Sequence, residues 1–233
     1  MSTDPKVMSF LEHLEELRKR LIKSIASILI FSIAIYFFSE SIINYLAQPV
    51  GVTYFTSPTE AFAVRIKLSL ILGLIVSIPV VLYQFWKFAV PGLTKREVTY
   101  IIPVVILSSL FFLGGAVFCY FLVLPLGIKF LLGYQTERLL PLIKIGDYIT
   151  FIAWMVLAFG VVFQLPIITF FLGKLGIVSA KTLSAGRKYA FLGILILAAV
   201  LTPSPDVFSQ LLLAVPLYFL YEVSIIVVRI TTR

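Results

Sequence analysis

The chain has 233 residues, of which 61% are hydrophobic and 13% charged, and it carries a formal net charge of +8. A soluble domain runs near half apolar and a quarter charged, so this surplus of apolar surface cannot be hidden in one water-soluble core and calls for a bilayer. The basic residues are dispersed between apolar runs rather than gathered into one patch, which argues against a nucleic-acid surface and for topology determinants and lipid-headgroup contacts.

In chain order, the first predicted element is an amphipathic helix over residues 9–21. Phe10, Leu14, Leu17 and Leu21 recur at helical spacing, with Glu12, Glu15, Glu16 and Lys19 on the other side. Ser9 and Glu12 make a capping box, and such a helix lies on a membrane surface. Its carboxylates, with no small-residue cleavage site at a suitable distance, argue against a cleavable signal peptide.

Transmembrane spans are expected at about 21–38, 68–86, 98–124, 148–173, 189–201 and 207–228, together forming a single integral-membrane domain over 1–233. The second is free of charge. The third belongs to an apolar run longer than one crossing needs, and Pro103 and Pro125 are expected to mark its ends. The fifth, at ~1.5 Å per residue, reaches only about 20 Å against a hydrocarbon core of about 30 Å. The sixth is interrupted by Gln210 and Glu222, so two adjacent short spans predict local thinning of the bilayer. Between the spans, Ser39 to Lys67 and Pro125 to Asp147 form sizeable loops, and Thr202 to Asp206 is a tight Pro-rich turn. Ser57-Pro58-Thr59-Glu60 reads as a helix start, with Ser as cap, Pro at the first position and Glu three residues after the cap. With the N-terminus inside, 14 Lys and Arg residues fall on the cytoplasmic side and 5 on the other. This asymmetry places both termini in the cytoplasm. The fold class is thus all-α and polytopic, with six spans.

No catalytic constellation is present: the sequence has no H-E-x-x-H, no G-x-S-x-G and no P-loop. Cys119, the single cysteine, lies in an apolar run, and His13, the single histidine, has no nucleophile or metal partner in sequence. His13 reads as a surface-helix residue. Two carboxylates expected at the cytoplasmic face have both an ordinary and a sharper reading. Glu97 closes a Thr94-x-x-Glu97 capping box, and Glu16 pairs with Arg20 one turn on. Alternatively, both face a common groove and bind a cationic ligand, for which a guanidinium offers bidentate geometry that an ammonium lacks. Gln164 sits near the middle of the fourth span, where a buried amide faces the bundle or a cavity. Its ordinary reading is an interhelical hydrogen bond. Asp206 reads as a helix-start residue, and Glu222 as a residue near the far end of the last span.

Four stretches, in order and spanning nearly the whole chain, resemble the twin-arginine translocase subunit TatC family. They are His13-Leu14-Glu15-Glu16-Leu17-Arg18-Lys19-Arg20-Leu21; Pro79 through Glu97 with Tyr83-Gln84-Phe85-Trp86, Phe88 and Pro91-Gly92-Leu93; Phe159-Gly160 with Phe163-Gln164 and Pro166; and Thr202-Pro203 with Pro205-Asp206, Ser209-Gln210 and Leu220-Tyr221-Glu222. The resemblance implies the receptor core of a machine that exports folded proteins across the cell inner membrane on the proton-motive force. It implies no cofactor and no enzymatic activity. It carries over Glu16 and Glu97 as signal-peptide contacts, with Arg18 and Phe88 on the same surface. Pro49 matches a functional position in the first outer loop, and Asp206 stands in the motif of the last outer turn. Gln164 matches a membrane-embedded position where many relatives carry Glu, a departure that removes any titratable group there. Implied partners are twin-arginine signal peptides, TatA-like and TatB-like single-span subunits, and further copies of the chain. A small-solute or ion transporter is the alternative of a different class. It would need paired ionisable residues at the bilayer midplane and a repeat, and neither is visible in the sequence.

Overall fold

The computed structural model describes residues 10–89, 101–138, 140–201 and 207–231. The regular structure in them is helical, apart from isolated bridge positions, among them a parallel bridge between Tyr54 and Lys144. The helices are α1 (Phe10–Tyr36), α2 (Ser39–Ala47), α3 (Pro58–Ala89), α4 (Ile101–Phe118), α5 (Leu124–Leu132), α6 (Ile145–Val162), α7 (Leu165–Lys174), α8 (Ala180–Ala185), α9 (Arg187–Leu201) and α10 (Val207–Thr231).

Four helical stretches are long and apolar enough to cross a membrane: Pro58–Phe88, Ile102–Leu132, Ile145–Lys174 and Gln210–Thr231. A fifth arises if the pair Leu11–Tyr36 and Ser39–Val50, bent by 75° at its break, is one span. Helix α9 has 15 residues, about 22 Å at the α-helical rise, and so falls short of a full crossing by itself.

Three features depart from the sequence expectations. Pro125 does not end the third run. The helix passes through a π-helical turn at Cys119–Val123 and continues as α5 to Leu132, with Pro125 in the first turn of α5. There the missing N–H falls where no α-helical partner is required. The first loop is not irregular throughout: Ser39–Ala47 is helical, followed by a 3-10 turn at Gln48–Val50 that closes on Gly51 at φ 73°. The fourth run breaks at Phe163–Gln164, between α6 and α7, just before Pro166. The proline ring has no N–H for the carbonyl four residues back, so the run turns there instead of continuing.

The chain divides into two compact units, Met1–Phe38 with Ser69–Ser109, and Ser39–Leu68 with Leu110–Arg233. In the first, α1 and the later part of α3 run antiparallel, since Arg20 meets Gln84 and His13 meets Phe88. Small residues make this approach possible. A Cβ on Gly73 would lie 2.8 Å from the Ser32 backbone nitrogen and 2.9 Å from its Cα, so only glycine fits. The buried interior of this unit is rich in serine (Ser32, Ser77, Ser108), and the Trp86 indole N–H donates to Ser108 Oγ at 3.1 Å. That is the composition of helices packed in lipid, where close backbone contact and short polar side chains replace the hydrophobic drive available in water.

In the second unit α10 packs along α7, α8 and α9, and α6 meets the π-helical turn. Phe159, Ile149, Leu213, Leu217 and Val228 are fully buried. Gln210, expected as an interruption of the last span, donates from Nε2 to the Leu195 carbonyl at 3.0 Å and so ties α10 to α9.

Candidate functional site

The first unit gathers a row of polar and aromatic side chains where α1 meets α3. His13, Glu16 and Arg20 are spaced three and four apart, so they share one face of α1. Gln84 and Phe88 are four apart on α3 and share the opposing face. The His13 imidazole stacks on the Phe88 ring, with centroids 4.5 Å apart and planes 23° from parallel. Arg20 Nε donates to Glu16 Oε1 at 3.1 Å, and Arg20 Nη2 makes a further close contact with the same oxygen. Arg20 Nη1 reaches Gln84 Oε1 at 3.5 Å, the outer limit of a hydrogen bond.

This ion pair is not a surface ornament. The side chains of Arg20 and Glu16 are only 14% and 21% exposed, against 64% and 55% for the neighbouring Lys19–Glu15 pair at 2.8 Å. The second oxygen, Glu16 Oε2, is buried and finds no donor among the described residues. An ionised oxygen in that state is costly and offers a strong acceptor to any donor that can reach it.

The other residues singled out from sequence fall as follows. Arg18 is exposed on α1, two residues from Glu16 and therefore on a different flank. Phe88 is partly buried under His13. Glu97 and Asp206 lie outside the described residues, as does the Ser9 end of the first capping box. Gln164 and Pro49 belong to the second unit. Gln164 is 8% exposed and stands at the break between α6 and α7, where its carbonyl accepts from the N–H groups of Ile167 and Ile168. Pro49 is exposed in the 3-10 turn after α2.

Two further polar clusters occur in the second unit. Glu60 joins separate segments of the chain. Its Oε2 accepts from the Thr56 N–H at 2.8 Å and from Thr56 Oγ1 at 2.9 Å, and its Oε1 accepts from the Gly146 N–H at 3.2 Å. A Cβ at position 146 would stand 2.6 Å from Glu60 Oε1, so glycine admits the carboxylate. The bridge beside it is closed by Tyr54 N–H to Ile143 O at 3.0 Å and Ile145 N–H to Tyr54 O at 2.8 Å. In the other cluster, Arg187 Nε and Nη2 grip Glu222 Oε1 and Oε2 at 2.7 and 2.8 Å. Tyr221 Oη donates to the Leu183 carbonyl at 2.7 Å. These contacts fix the start of α9 against α10.

Sequence reasoning named His13 and Gln84 within the family motifs and gave neither a functional role. His13 read as a surface residue because nothing near it in sequence could partner it. The available signal was its place three residues before Glu16 on a shared face. Among the described residues no group of His, Cys, Asp and Glu side chains could hold a metal ion.

Helices of membrane-crossing length, a small-residue interior and polar clusters built for holding rather than for bond chemistry define a multi-pass helical membrane protein. Comparison with known proteins gives the family. The model of the Sec-independent protein translocase protein TatC matches residues 12–216. The TatC protein of Carboxydothermus hydrogenoformans is 42% identical over 230 residues, covering 97% of this chain and 95% of its own length. That of Aquifex aeolicus is 41% identical over 234 residues, covering 97% of each. A crystal structure of the twin arginine translocase receptor TatC aligns with TM-score 0.85 at 41% identity, covering 95% of this chain and 100% of that one. The chain belongs to the TatC family of Sec-independent protein translocase subunits. It is a transport protein rather than an enzyme.

Proposed function

We propose that this chain is the receptor for twin-arginine signal peptides, and that it reads them at the α1–α3 seam. The observation that carries this reading is Glu16, a mostly buried carboxylate whose Oε2 has no donor while Oε1 is held by Arg20. A guanidinium presents paired N–H donors in a plane and matches a carboxylate bidentately, so a site of this kind favours arginine over lysine. The stacked His13–Phe88 pair supplies an apolar and aromatic wall beside the carboxylate. Glu97 supplies a second carboxylate for the second arginine, and Arg18, two residues on from Glu16 and exposed, contacts the peptide from a different flank of α1.

In this reading the chain makes six crossings with both termini in the cytoplasm of a cell inner membrane, α9 being the short fifth crossing and α10 the sixth. The signal's apolar segment lies along the bundle after its arginines have docked. Pro49 and Asp206 act on the opposite face, and Gln164 acts as a hydrogen-bonding group within the membrane rather than as a proton carrier. TatA-like and TatB-like single-span subunits and further copies of the chain assemble around it, and folded cargo crosses on the proton-motive force.

The test is binding of a purified twin-arginine signal peptide to the detergent-solubilised chain. The comparison set is wild type, Glu16→Ala and Glu97→Ala, with a Lys-Lys peptide as control. Binding that requires the arginines and weakens when either carboxylate is lost is the expected result. Equal binding of the two peptides by wild type would overturn the reading.

A further inference from the structure

We infer that Arg20 is a built-in placeholder for the ligand's guanidinium group, so that the signal peptide binds by exchange rather than by addition. The inference rests on the reading of Glu16 as a ligand carboxylate. In the structure one oxygen of Glu16 is taken by Arg20, and the other is buried without a donor. So arranged, the carboxylate has one oxygen occupied and the other buried, which leaves no open pair of oxygens for a bidentate grip. Arg20 is the group able to move aside. It sits one turn along α1 on a long side chain, and among the described residues its hydrogen-bond contact besides Glu16 is with Gln84 Oε1 at 3.5 Å. The pair is mostly buried, so opening it costs more than opening an exposed i, i+4 pair, and that cost is subtracted from the ligand's affinity. A ligand guanidinium that then engages both oxygens satisfies the acceptor left open in the resting state, which the single-oxygen grip of Arg20 does not.

Two consequences separate this arrangement from a simple positioning role. Moving Arg20 aside costs the same whatever arrives, so removing it strengthens binding of every cationic peptide by one common factor. Discrimination between arginine and lysine is unchanged, because specificity is a difference of affinities and the common cost cancels. In addition, exchanging one guanidinium for another leaves the local charge balance unaltered. Without Arg20 the seam carries an uncompensated carboxylate, and binding becomes more sensitive to salt.

The experiment uses the full chain in lipid nanodiscs and fluorescence anisotropy of labelled Arg-Arg and Lys-Lys signal peptides. The variants are Arg20→Gln, Arg20→Lys, Glu16→Gln and the double variant. Lys19→Gln serves as a control for the same loss of charge one residue away. Arg20→Gln is expected to tighten both peptides equally, by about five-fold or more, since the pair that must otherwise open is mostly buried. The steeper salt dependence should accompany this gain. Arg20→Lys should give a smaller gain in the same direction, and it carries the test if Arg20→Gln does not fold. The gain should vanish in the Glu16→Gln background, since there is then no carboxylate to release. Unchanged or weaker binding by Arg20→Gln, an equal gain from Lys19→Gln, or a gain that survives in the Glu16→Gln background overturns the placeholder. Wild-type affinity in Glu16→Gln alone overturns the receptor reading of Glu16 on which it rests.

Discussion

Glu16 and Glu60 are both helix-borne carboxylates, and their surroundings differ in one respect. Glu60 has a donor on each oxygen: Thr56 gives its N–H and hydroxyl to Oε2, Gly146 gives its N–H to Oε1, and the Lys144 ammonium stands 3.9 Å away. Three of those four donors belong to backbone or to a side chain a single turn away, so the arrangement is complete within the fold. Glu16 shares one oxygen with Arg20, and the other is buried with no donor among the described residues. A carboxylate whose acceptors are all filled is a staple. One whose acceptors are half filled is poised for a ligand, because the unmet demand is already part of the folded state.

The largest expected effect tests that contrast directly. Glu16→Gln should weaken twin-arginine peptide binding by at least about thirty-fold, the low end for truncating a buried hydrogen-bonded charge pair. It also leaves the mostly buried Arg20 without its counter-charge, so some loss of melting temperature accompanies the loss of binding. Glu60→Gln should separate the two: a lower melting temperature and faster hydrogen exchange around Thr56 and Gly146, with peptide affinity intact. If Glu60→Gln also abolished binding, the division into staple and ligand site would be wrong. Next in size is Gly73→Ala. Its new methyl would press on the Ser32 backbone, 2.8 Å from the nitrogen, which cannot yield as a side-chain tip can. Overpacking of this kind costs about 1–3 kcal/mol. Because the same contact sets the approach of α1 to α3, peptide binding should fall although the substitution is far along both helices from Glu16. Normal binding and stability in this variant would show that the two helices tolerate separation. Smaller again is Tyr148→Phe, which removes the hydroxyl donated to the Leu46 carbonyl at 2.9 Å. It should lower stability by about 1 kcal/mol, read by thermal unfolding, with no change in binding.

The difference between the two carboxylates also marks how far the sequence could be read. Apolar runs located most of the long helices, because burial in lipid imposes a length that composition reveals directly. The helix start at Ser57 was equally legible: Ser57 Oγ accepts from the Glu60 N–H at 3.3 Å, a contact three residues long. What lay hidden was whatever depends on partners far along the chain. Glu60 read as a capping residue, and nothing near it announced Gly146, 86 residues on. Glu222 read as a helix-end residue, with its bidentate partner Arg187 standing 35 residues earlier. His13 read as solvated until Phe88 was placed over it. Helix α2 was missed although Ile42, Ile43 and Leu46 recur at helical spacing, because nine residues are too short to stand out from the loop around them. The π-helical turn was missed because an extra residue per turn leaves no mark on an all-apolar run. The family motifs singled out Glu16 and Phe88, while the contacts that join them, through His13, Arg20 and Gln84, required the packed helices.

The smallest effect is expected at Glu15, and it bears most closely on why Glu16 is singled out. The two glutamates are adjacent and have the same chemistry, and each pairs with a basic residue four positions on. They differ by the 100° that one residue turns around a helix. That rotation sends Glu15 and Lys19 toward solvent, where the side chains are 55% and 64% exposed, and turns Glu16 and Arg20 into the seam against α3. An exposed pair is screened by water and salt and contributes next to nothing. Glu15→Gln should therefore leave both peptide affinity and melting temperature within experimental error of wild type, measured on the same nanodisc preparations. A loss of binding comparable to that of Glu16→Gln would mean that the ligand responds to the total negative charge of the segment and not to one carboxylate held at a defined angle. The seam would then be an electrostatic surface rather than a site.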